Sequence, residues 1–219
     1  GEEKFGIPTH IAFAPTQSNI IFKGVLRDYQ IPIVNKCLSD MKSEGGGLLS
    51  VPCGCGKTTM ALKMSADLGL KTLVIVHKTF LMQQWMERAK QFTNAKVGII
   101  KQKKVDVENK QIVIGMIQSI SKRHYDPNIF KEFGFVIIDE SHHSPSKMFS
   151  KALAKIGARY TLGLSATPYR TDGLIRIMHW YLGKMLYQIK LKTNNQVVSK
   201  IINFNSKDEN FKECTRYRE

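Results

Sequence analysis

The 219-residue sequence predicts an α/β domain in which helices cover both faces of a mostly parallel β-sheet. Three observations lead to this prediction. Short, continuously apolar segments such as LLSV (48–51), TLVIVH (72–77) and FVII (135–138) are typical of strands buried on both faces. Segments with apolar residues at helical spacing separate them, as β-α units require. A hydrophobic content of 42% suffices for the core of one such domain, with or without an appendage.

The first part of the predicted domain runs from an N-terminal arm to a glycine-rich turn. Residues 1–23 show no regular pattern and are predicted to form an irregular arm. Apolar residues then recur at helical spacing over LRDYQIPIVNKCLSDM (26–41), which predicts a helix, and SEGGG (43–47) ends it. LLSV follows as a short buried strand and leads directly into CGCGKTT (53–59).

The remaining helices and strands follow from the same two patterns. Helical spacing predicts helices in four segments: KTTMALKMSADL (57–68), which Gly69 closes, FLMQQWMERAKQF (80–92), KMFSKALAKI (147–156) and GLIRIMHWYL (173–182). Apolar runs predict further strands in KVGII (96–100), QIVIGM (111–116) and YTLGLSA (160–166), the last strand expected. In parallel sheets of this kind the ligand lies at the carboxyl ends of the strands, so the residues that follow strands are the candidates for function.

The charge of the chain restricts its classes of partner. Thirty-three Lys and Arg against 18 Asp and Glu give a formal net charge of +15, which favours nucleic acid or a phosphate-rich ligand. No apolar run reaches the ~18–20 residues that a membrane span needs, and the N-terminus lacks the basic and apolar regions of a signal peptide. We therefore expect a soluble, intracellular protein in a reducing compartment, without a membrane partner.

The cysteines favour free thiols over a disulfide framework or a zinc site. Cys37, Cys53, Cys55 and Cys214 are few and irregularly spaced, and no second Cys/His pair completes a zinc pattern. A thiol close to a helix N-terminus is more reactive, which would make Cys53 and Cys55 open to oxidation.

The stretch VPCGCGKTT (51–59) predicts a loop that binds phosphate. A strand, a glycine-rich turn and a helix together aim backbone N–H groups at an anion. Lys57 would reach the β- and γ-phosphates and Thr58 would offer its hydroxyl to Mg²⁺. The full set of predicted nucleotide-binding residues in this loop is Gly54, Cys55, Gly56, Lys57, Thr58 and Thr59. Val51 stands where the full pattern has glycine, and the alternative is a glycine turn with an incidental lysine.

A pair of carboxylates follows the FVII strand directly. Asp139 and Glu140 would lie at the same edge of the sheet as the phosphate loop. Phosphoryl transfer needs one carboxylate to hold the metal and a second group to orient or deprotonate the attacking water, and the pair supplies both. The alternatives are a solvated helix start for the two carboxylates and a metal site at His142 and His143, although adjacent histidines rarely bind one ion together.

Three motifs, each at the end of a strand, resemble superfamily 2 helicases. GCGKT (54–58), DESH (139–142) and SAT (165–167) are similar to motifs I, II and III of that family, in that order. The resemblance covers about residues 24–189 and implies one RecA-like domain. It implies that Lys57, Thr58, Asp139 and Glu140 bind and hydrolyse Mg-ATP. His142 and the segment from Ser165 to Thr167 would relay the nucleotide state to nucleic acid.

Further segments resemble one branch of this superfamily. LRDYQ (26–30) is similar to the family's adenine-reading segment, with Gln30 as the reader, although a single glutamine on a helix is usually just exposed. LGLSATPYRTDGL (162–174) and YLGKMLYQIK (181–190) are similar to the XPB-type transcription and repair helicases and to helicases of large cytoplasmic DNA viruses of the poxvirus and African swine fever virus kind. XPB-type proteins carry Arg-Glu-Asp after motif III, where this chain has Thr171 in place of Glu.

The positions of two further strand ends match nucleic-acid-binding segments of the family. The predicted contacts, to which Arg170 after motif III is added, are His77, Lys78, Thr79, Gln118, Ser119 and Arg170. Such contacts to the phosphate backbone predict salt-sensitive binding that is nearly independent of sequence. Met82 and Trp85 are predicted to pack in the core rather than to stack on bases. The charge run KQKK (101–104) is predicted to be a solvated loop rather than a specific contact.

The sequence thus predicts the first RecA-like domain of an ATP-dependent superfamily 2 DNA helicase or translocase acting in transcription. The expected boundaries are an arm over 1–23, the RecA-like domain over 24–189 and a tail over 190–219 that leads to a second RecA-like domain in the full-length protein. The facing domain would supply arginines to ATP, so residues 1–219 alone are expected to be nearly inactive. ATP and Mg²⁺ are the expected cofactors, DNA is favoured over RNA, and transcription proteins are expected partners.

Three rival functions stay open at this point. The chain could be the motor of a restriction-type nuclease, whose full chain would carry a carboxylate–lysine nuclease cluster, or it could be an RNA helicase. From another class, it could be a nucleotide-gated module that binds nucleic acid without turnover, which would have no need of Glu140. The expected location is the host cytoplasm for a viral protein and the nucleus for a cellular one.

Overall fold

A computed structural model describes residues 15–139, 146–166 and 179–189. Eight strands, six helices whose bounds follow and a helical stretch at 179–182 lie within these ranges. The strands are β1 (Gly46–Ser50), β2 (Thr72–Val76), β3 (Val97–Lys101), β4 (Lys104–Asp106), β5 (Ile112–Met116), β6 (Phe135–Asp139), β7 (Tyr160–Ser165) and β8 (Met185–Gln188). The helices are α1 (Gln30–Glu44), α2 (Lys57–Leu68), α3 (Thr79–Phe92), α4 (Ile117–Lys122), α5 (Asn128–Lys131) and α6 (Ser146–Leu153).

All eight strands form one sheet in the order β4-β3-β5-β2-β6-β7-β1-β8. Every neighbouring pair is parallel except β3 and β4, which form an antiparallel hairpin. The carboxyl ends of β1, β7, β6, β2, β5 and β3 therefore meet at one edge of the sheet, which we call the carboxyl edge. The predicted mostly parallel sheet is confirmed.

Helices cover both faces of the sheet because the side chains of a buried strand alternate between its faces. In β2, Val74 and Val76 belong to a core layer shared with α1, α2 and α3. Leu73 and Ile75 belong to the opposite layer, shared with α4, α5 and α6. Both layers are buried, so the predicted placement of helices on the two faces is also confirmed. No helix in the described residues is long and apolar enough to cross a membrane.

Helix α1 begins four residues later than predicted. Pro32 gives the physical reason, because proline has no N–H to donate in a helix interior but is tolerated in the first turn. A start at Gln30 places Pro32 in that turn. The helix ends as expected at Gly45, which has a φ of 85° and donates its N–H to the Met41 carbonyl.

Four elements were not predicted, namely β4, α4, α5 and β8. The loop predicted over KQKK (101–104) is only two residues long, because Lys101 ends β3 and Lys104 begins β4. β8 pairs with β1 at the edge of the sheet, so β7 is not the last strand. Of the predicted helix over 173–182, positions 179–182 are helical and the rest lies outside the described residues.

Candidate nucleotide and nucleic-acid sites

The sheet brings the phosphate loop, Ser165 and Asp139 to neighbouring positions on the carboxyl edge. β7 lies between β1 and β6, with Ser50 opposite Ser165 and Asp139 opposite Leu164. The Val51 N–H, at the start of the loop, donates to the Ser165 carbonyl at 3.1 Å. Residues that are far apart in sequence thus share one corner of the site.

The phosphate loop has a backbone that glycine makes accessible. Gly54 and Gly56 have φ values of 81° and 76°, in the left-handed region that residues with a Cβ rarely adopt. A Cβ on Gly54 would meet nothing within 4 Å, so the space beside it is open. Helix α2 begins directly after Gly56, and its first turn therefore presents backbone N–H groups and the positive end of its dipole to the loop. This is the arrangement that binds an anion.

Lys57 lies at the helix end of this loop and reaches back across it. Its half-buried side chain donates from Nζ to the Val51 carbonyl at 3.3 Å. The ammonium group is thus held over the loop, where an incoming phosphate would offer it a stronger, charged acceptor. Thr58 and Thr59, in the same helical turn, are also half-buried.

Gln30 connects α1 to the phosphate loop. Its side chain is only 3% exposed, so the alternative of an exposed glutamine on a helix is wrong. Nε2 donates to the Cys55 carbonyl at 2.9 Å, and Oε1 accepts from the Arg27 N–H at 2.9 Å. The Tyr29 hydroxyl donates to the same Cys55 carbonyl at 3.1 Å. An amide has two N–H groups and two lone pairs, so Gln30 retains capacity for a nucleotide base.

Asp139 is buried at the end of β6 and is oriented by a tryptophan. The Trp85 indole N–H donates to Asp139 Oδ2 at 2.7 Å. The packing of Trp85 and Met82 in the core is confirmed, since their side chains are 1% and 3% exposed. The hydrogen bond was not predicted, because the helical pattern indicates which face of α3 is buried but not what the indole nitrogen contacts.

The strand ends next to this corner carry the predicted nucleic-acid residues. Lys78 and Thr79 are exposed at the start of α3, and His77 is half-buried. The Gln118 side chain donates to the His77 carbonyl at 2.7 Å, which joins the segments after β5 and β2. Ser119 is buried, and its Oγ accepts from the Gln102 N–H at 2.8 Å. These segments therefore form a connected row along the carboxyl edge.

Phe80 is an exposed aromatic in this row that sequence reasoning missed. Its side chain is 58% exposed, and Lys78 Nζ lies 5.8 Å from the centre of its ring. The apolar stripe of α3 gives the signal that could have found it. The buried positions of that helix are Leu81, Met82, Trp85 and Ala89, and Phe80 lies off the stripe they form.

Comparison with known proteins assigns the chain to a family. The family model described as "Type III restriction enzyme, res subunit" matches residues 23–170, which is more than half of the chain. The chain belongs to this family of helicase domains. The resemblance to superfamily 2 helicases that the three motifs indicated is thus confirmed.

Several relatives of this helicase-domain family support the assignment. A protein of Acanthamoeba polyphaga mimivirus, named an ATP-dependent RNA helicase, is 42% identical over 183 residues, which cover 83% of this chain and 35% of the relative. The DNA 3'-5' translocase XPB2 of Sulfurisphaera tokodaii is 32% identical over 163 residues, covering 74% of this chain and 35% of the relative. The chain thus spans about a third of the length of both relatives.

Solved structures confirm the RecA-like helicase fold. The SWI2/SNF2 ATPase core of Sulfolobus solfataricus in complex with double-stranded DNA gives a TM-score of 0.62 at 20% identity, over 77% of this chain and 37% of that one. The UvsW helicase of bacteriophage T4 gives a TM-score of 0.59 at 22% identity, over 73% and 59%.

The helicase-domain site has the groups that a magnesium nucleotide requires. The open space beside Gly54 leaves room for phosphate against the loop. The Thr58 hydroxyl and the Asp139 carboxylate are hard oxygen donors of the kind that Mg²⁺ prefers. Thr58 follows β1 and Asp139 ends β6, the two strands that flank β7 at this edge. The residues present therefore fit the group. Four predicted site residues lie outside the described ranges, namely Glu140, His142, Thr167 and Arg170.

The thiols of the helicase domain differ in environment. Cys37, Cys53 and Cys55 are free thiols, whereas Cys214 lies outside the described residues. Burial raises the pKa of the Cys37 thiol to about 12, with a smaller contribution from Asp40. Cys53 is exposed in the phosphate loop, where a thiol reagent would reach it before Cys37.

Proposed function

We propose that this chain is the first RecA-like domain of an ATP-dependent superfamily 2 DNA helicase or translocase that acts in transcription. The observation that carries the proposal is the shared edge of the sheet. The phosphate loop and Asp139 lie beside strand ends with exposed basic residues, so one edge can bind a nucleotide and a polyanion together. The name of the XPB2 relative supports DNA as the substrate. A Schizosaccharomyces pombe relative, 27% identical over 174 residues, is named the XPB subunit of a general transcription and DNA repair factor, which supports transcription.

The proposed nucleotide site divides the chemistry among a few side chains. Lys57 binds the β- and γ-phosphates, and Gln30 reads the base from the rim of the loop. Thr58 and Asp139 hold Mg²⁺, which when bound neutralises charge on the phosphates. Glu140 orients the attacking water and accepts its proton.

Coupling to nucleic acid runs through the strand ends. Ser165 accepts the hydrogen bond of the first loop residue, Val51, and β7 also pairs with the strand that carries Asp139. A shift of the phosphate loop on ATP binding therefore reaches β7 directly. The residues proposed to relay it are His142, Ser165 and Thr167. The residues proposed to contact the nucleic-acid backbone are His77, Lys78, Thr79, Gln118, Ser119 and Arg170.

The rest of the proposal concerns the full-length protein. A second RecA-like domain in cis would complete the ATP site, so residues 1–219 alone would hydrolyse ATP barely above background. The boundaries proposed for this half are an arm over 1–23, the RecA-like domain over 24–189 and a connecting tail over 190–219. We place the protein inside the cell, in the host cytoplasm if it is viral and in the nucleus if it is cellular.

Two alternative functions have specific observations in their favour. The mimivirus relative is named an RNA helicase, which favours RNA as the substrate. The matching family model is named for a restriction enzyme, which favours a motor attached to a nuclease. A nucleotide-gated binding module without turnover is the third reading, and the carboxylate Glu140 argues against it.

The test compares wild-type full-length protein with Glu140→Gln. The amide keeps the size and hydrogen bonding of Glu but cannot take a proton, so ATP binding is expected to persist while turnover is lost. ATPase rates measured with single-stranded DNA, duplex DNA and RNA identify the substrate. A strand-separation assay distinguishes opening of a duplex from translocation along it. Wild-type turnover in Glu140→Gln would assign the base elsewhere. An ATPase that no nucleic acid stimulates would contradict the proposed function.

A further inference from the structure

The turn between β3 and β4 lies on the same carboxyl edge as the predicted nucleic-acid contacts. β3 runs parallel to β5, so its last residue, Lys101, lies at that edge. Lys101 pairs with Lys104 across the antiparallel hairpin, which leaves Gln102 and Lys103 as a two-residue turn. We call residues 101–104 the basic turn. The strand order β3-β5-β2 places it about 10 Å, two strand spacings, from the end of β2 that precedes Lys78.

The basic turn is fixed by hydrogen bonds on both sides. The Gln102 N–H donates to Ser119 Oγ at 2.8 Å, and the Tyr125 hydroxyl donates to the Gln102 carbonyl at 2.7 Å. Gln102 has a φ of 54°, in the left-handed region that residues with a Cβ rarely adopt. The two bonds hold it there. A two-residue hairpin turn requires a positive φ in any case, so the two hydrogen bonds are the observation that shows the turn to be fixed.

The lysines of the basic turn keep their charge available. Lys103 and Lys104 are exposed and Lys101 is half-buried. Five other lysines of the described residues pair with carboxylates: Lys36, Lys63, Lys71, Lys110 and Lys184. No ion pair within the described ranges involves a lysine of the basic turn. The carboxylate in the same hairpin, Asp106, pairs with Lys110 instead. Three positive charges thus project from a rigid turn without neutralisation.

We propose that the basic turn is a further binding site for the phosphate backbone of nucleic acid. The inference rests on the proposed function, which it extends by a third segment along the carboxyl edge. Ser119 then also positions the turn, because its buried hydroxyl accepts the Gln102 N–H. Gln118 joins the same row by its hydrogen bond to the His77 carbonyl. The row from the basic turn to Lys78 would follow one strand of the ligand, with contacts to phosphate and none required to bases.

The test measures the salt dependence of binding for variants of matched charge. The 219-residue chain binds a fluorescent single-stranded oligothymidylate, and anisotropy gives Kd from low to moderate salt. The slope of log K against log salt is negative, and each lost phosphate contact reduces its magnitude by about 0.7 for a single strand. Lys103→Gln with Lys104→Gln is expected to weaken binding and to reduce the magnitude of the slope by roughly 1.4, for two contacts.

The chain offers a control with the same loss of charge at the opposite edge. Lys42, in the last turn of α1, and Lys96, directly before β3, are both exposed near the amino ends of the strands. Lys42→Gln with Lys96→Gln is expected to leave the slope within about 0.3 of wild type, because net charge alone acts weakly at a distance in salt. Equal effects of the two pairs would overturn the proposal in favour of diffuse attraction. An unchanged slope in the Lys103 and Lys104 pair would overturn it outright.

A second variant tests the fixing of the turn without changing any charge. Tyr125→Phe removes the hydroxyl donor to Gln102, so the turn loses one of its two bonds and binding is expected to weaken severalfold. Unchanged affinity would contradict the role of the fixed geometry. If the wild-type chain failed to bind the oligonucleotide at all, the proposed function would fail. If the wild-type chain bound the oligonucleotide and the basic-turn variants bound it equally well, only the proposal for the basic turn would be contradicted.

Discussion

The carboxyl edge divides into two halves, which differ in whether the protein holds the side chains or the backbone. In the proposed nucleotide half, at the ends of β1, β7 and β6, Gln30 and Asp139 are buried, Lys57 is half-buried, and all three side chains are held by the protein. Gln30 bonds to the loop, Lys57 to Val51, and Asp139 to Trp85. In the proposed nucleic-acid half, at the ends of β2, β5 and β3, Lys78, Lys103 and Lys104 are exposed. There the protein holds the backbone instead, as at Gln102.

The proposed ligands, a nucleotide and a nucleic-acid backbone, account for this difference in how the residues are held. A nucleotide has a fixed shape and its transfer chemistry needs groups at defined positions, so residue type and geometry are both constrained. A phosphate backbone is long, flexible and repetitive, so exposed charge at roughly the right spacing suffices. We therefore expect substitutions in the nucleotide half to have large, specific effects, and those in the nucleic-acid half to have graded ones.

The largest effect is expected for Lys57→Ala. The ammonium group would be lost from the phosphates, and a charge-assisted hydrogen bond is worth about 1.5–3 kcal/mol, so nucleotide affinity should fall on the order of a hundredfold. A fluorescent ATP analogue measures the affinity. Thermal unfolding provides the control, because a half-buried loop lysine contributes little to packing. Wild-type affinity in this variant would remove the basis for the phosphate-loop assignment.

A matched pair of glycine variants tests how Gln30 is held against the loop. Gly54→Ala and Gly56→Ala both place a Cβ at positive φ, which costs about 1–2 kcal/mol of stability in each case. Only the Cβ on Gly56 would meet Gln30 Nε2, at 2.4 Å, and displace its bond to the Cys55 carbonyl. We expect Gly56→Ala to lose about 1 kcal/mol more in urea unfolding. Equal losses would show that the Gln30 contact is unimportant.

A smaller effect is expected for Trp85→Phe, which keeps an aromatic ring but removes the N–H bonded to Asp139. The carboxylate would be less well oriented, so the Mg²⁺ concentration for half-maximal nucleotide binding should rise by about threefold to tenfold, the equivalent of one hydrogen bond. Met82→Leu, in the core of the same helix, is the control for lost packing. A shift of the same size in both variants would mean that Trp85 acts only through the core.

The sequence predicted β1, the phosphate loop, α2 and β6 because their signals are local. A buried strand, two glycines and Lys57 follow one another directly in the chain, and the apolar run before Asp139 marks a second strand of the same parallel sheet. The helix over 57–68 and its closure at Gly69 were predicted to the residue. Contacts between distant segments were not predictable in the same way. Trp85 and Asp139 are 54 positions apart, and no periodicity indicates what an indole nitrogen meets.

The nucleic-acid half was harder to predict for the opposite reason. Charge runs such as KQKK occur on most protein surfaces, and their composition does not distinguish a fixed turn from a solvated loop. The distinction depends on Ser119 and Tyr125, which lie 17 and 23 positions away from Gln102. β8 was missed for a related reason, since a four-residue edge strand has too short a pattern to detect alone.

The two halves of the carboxyl edge are proposed to bind different ligands through separate residues. A cross-comparison of two variants tests this claim, with nucleotide affinity measured without DNA and the salt slope of oligothymidylate binding measured without nucleotide. We expect Lys57→Ala to lose nucleotide affinity while keeping the wild-type slope. The variant that combines Lys103→Gln with Lys104→Gln should keep wild-type nucleotide affinity, while the magnitude of its salt slope falls by roughly 1.4. Losses of both activities in both variants would contradict the claim.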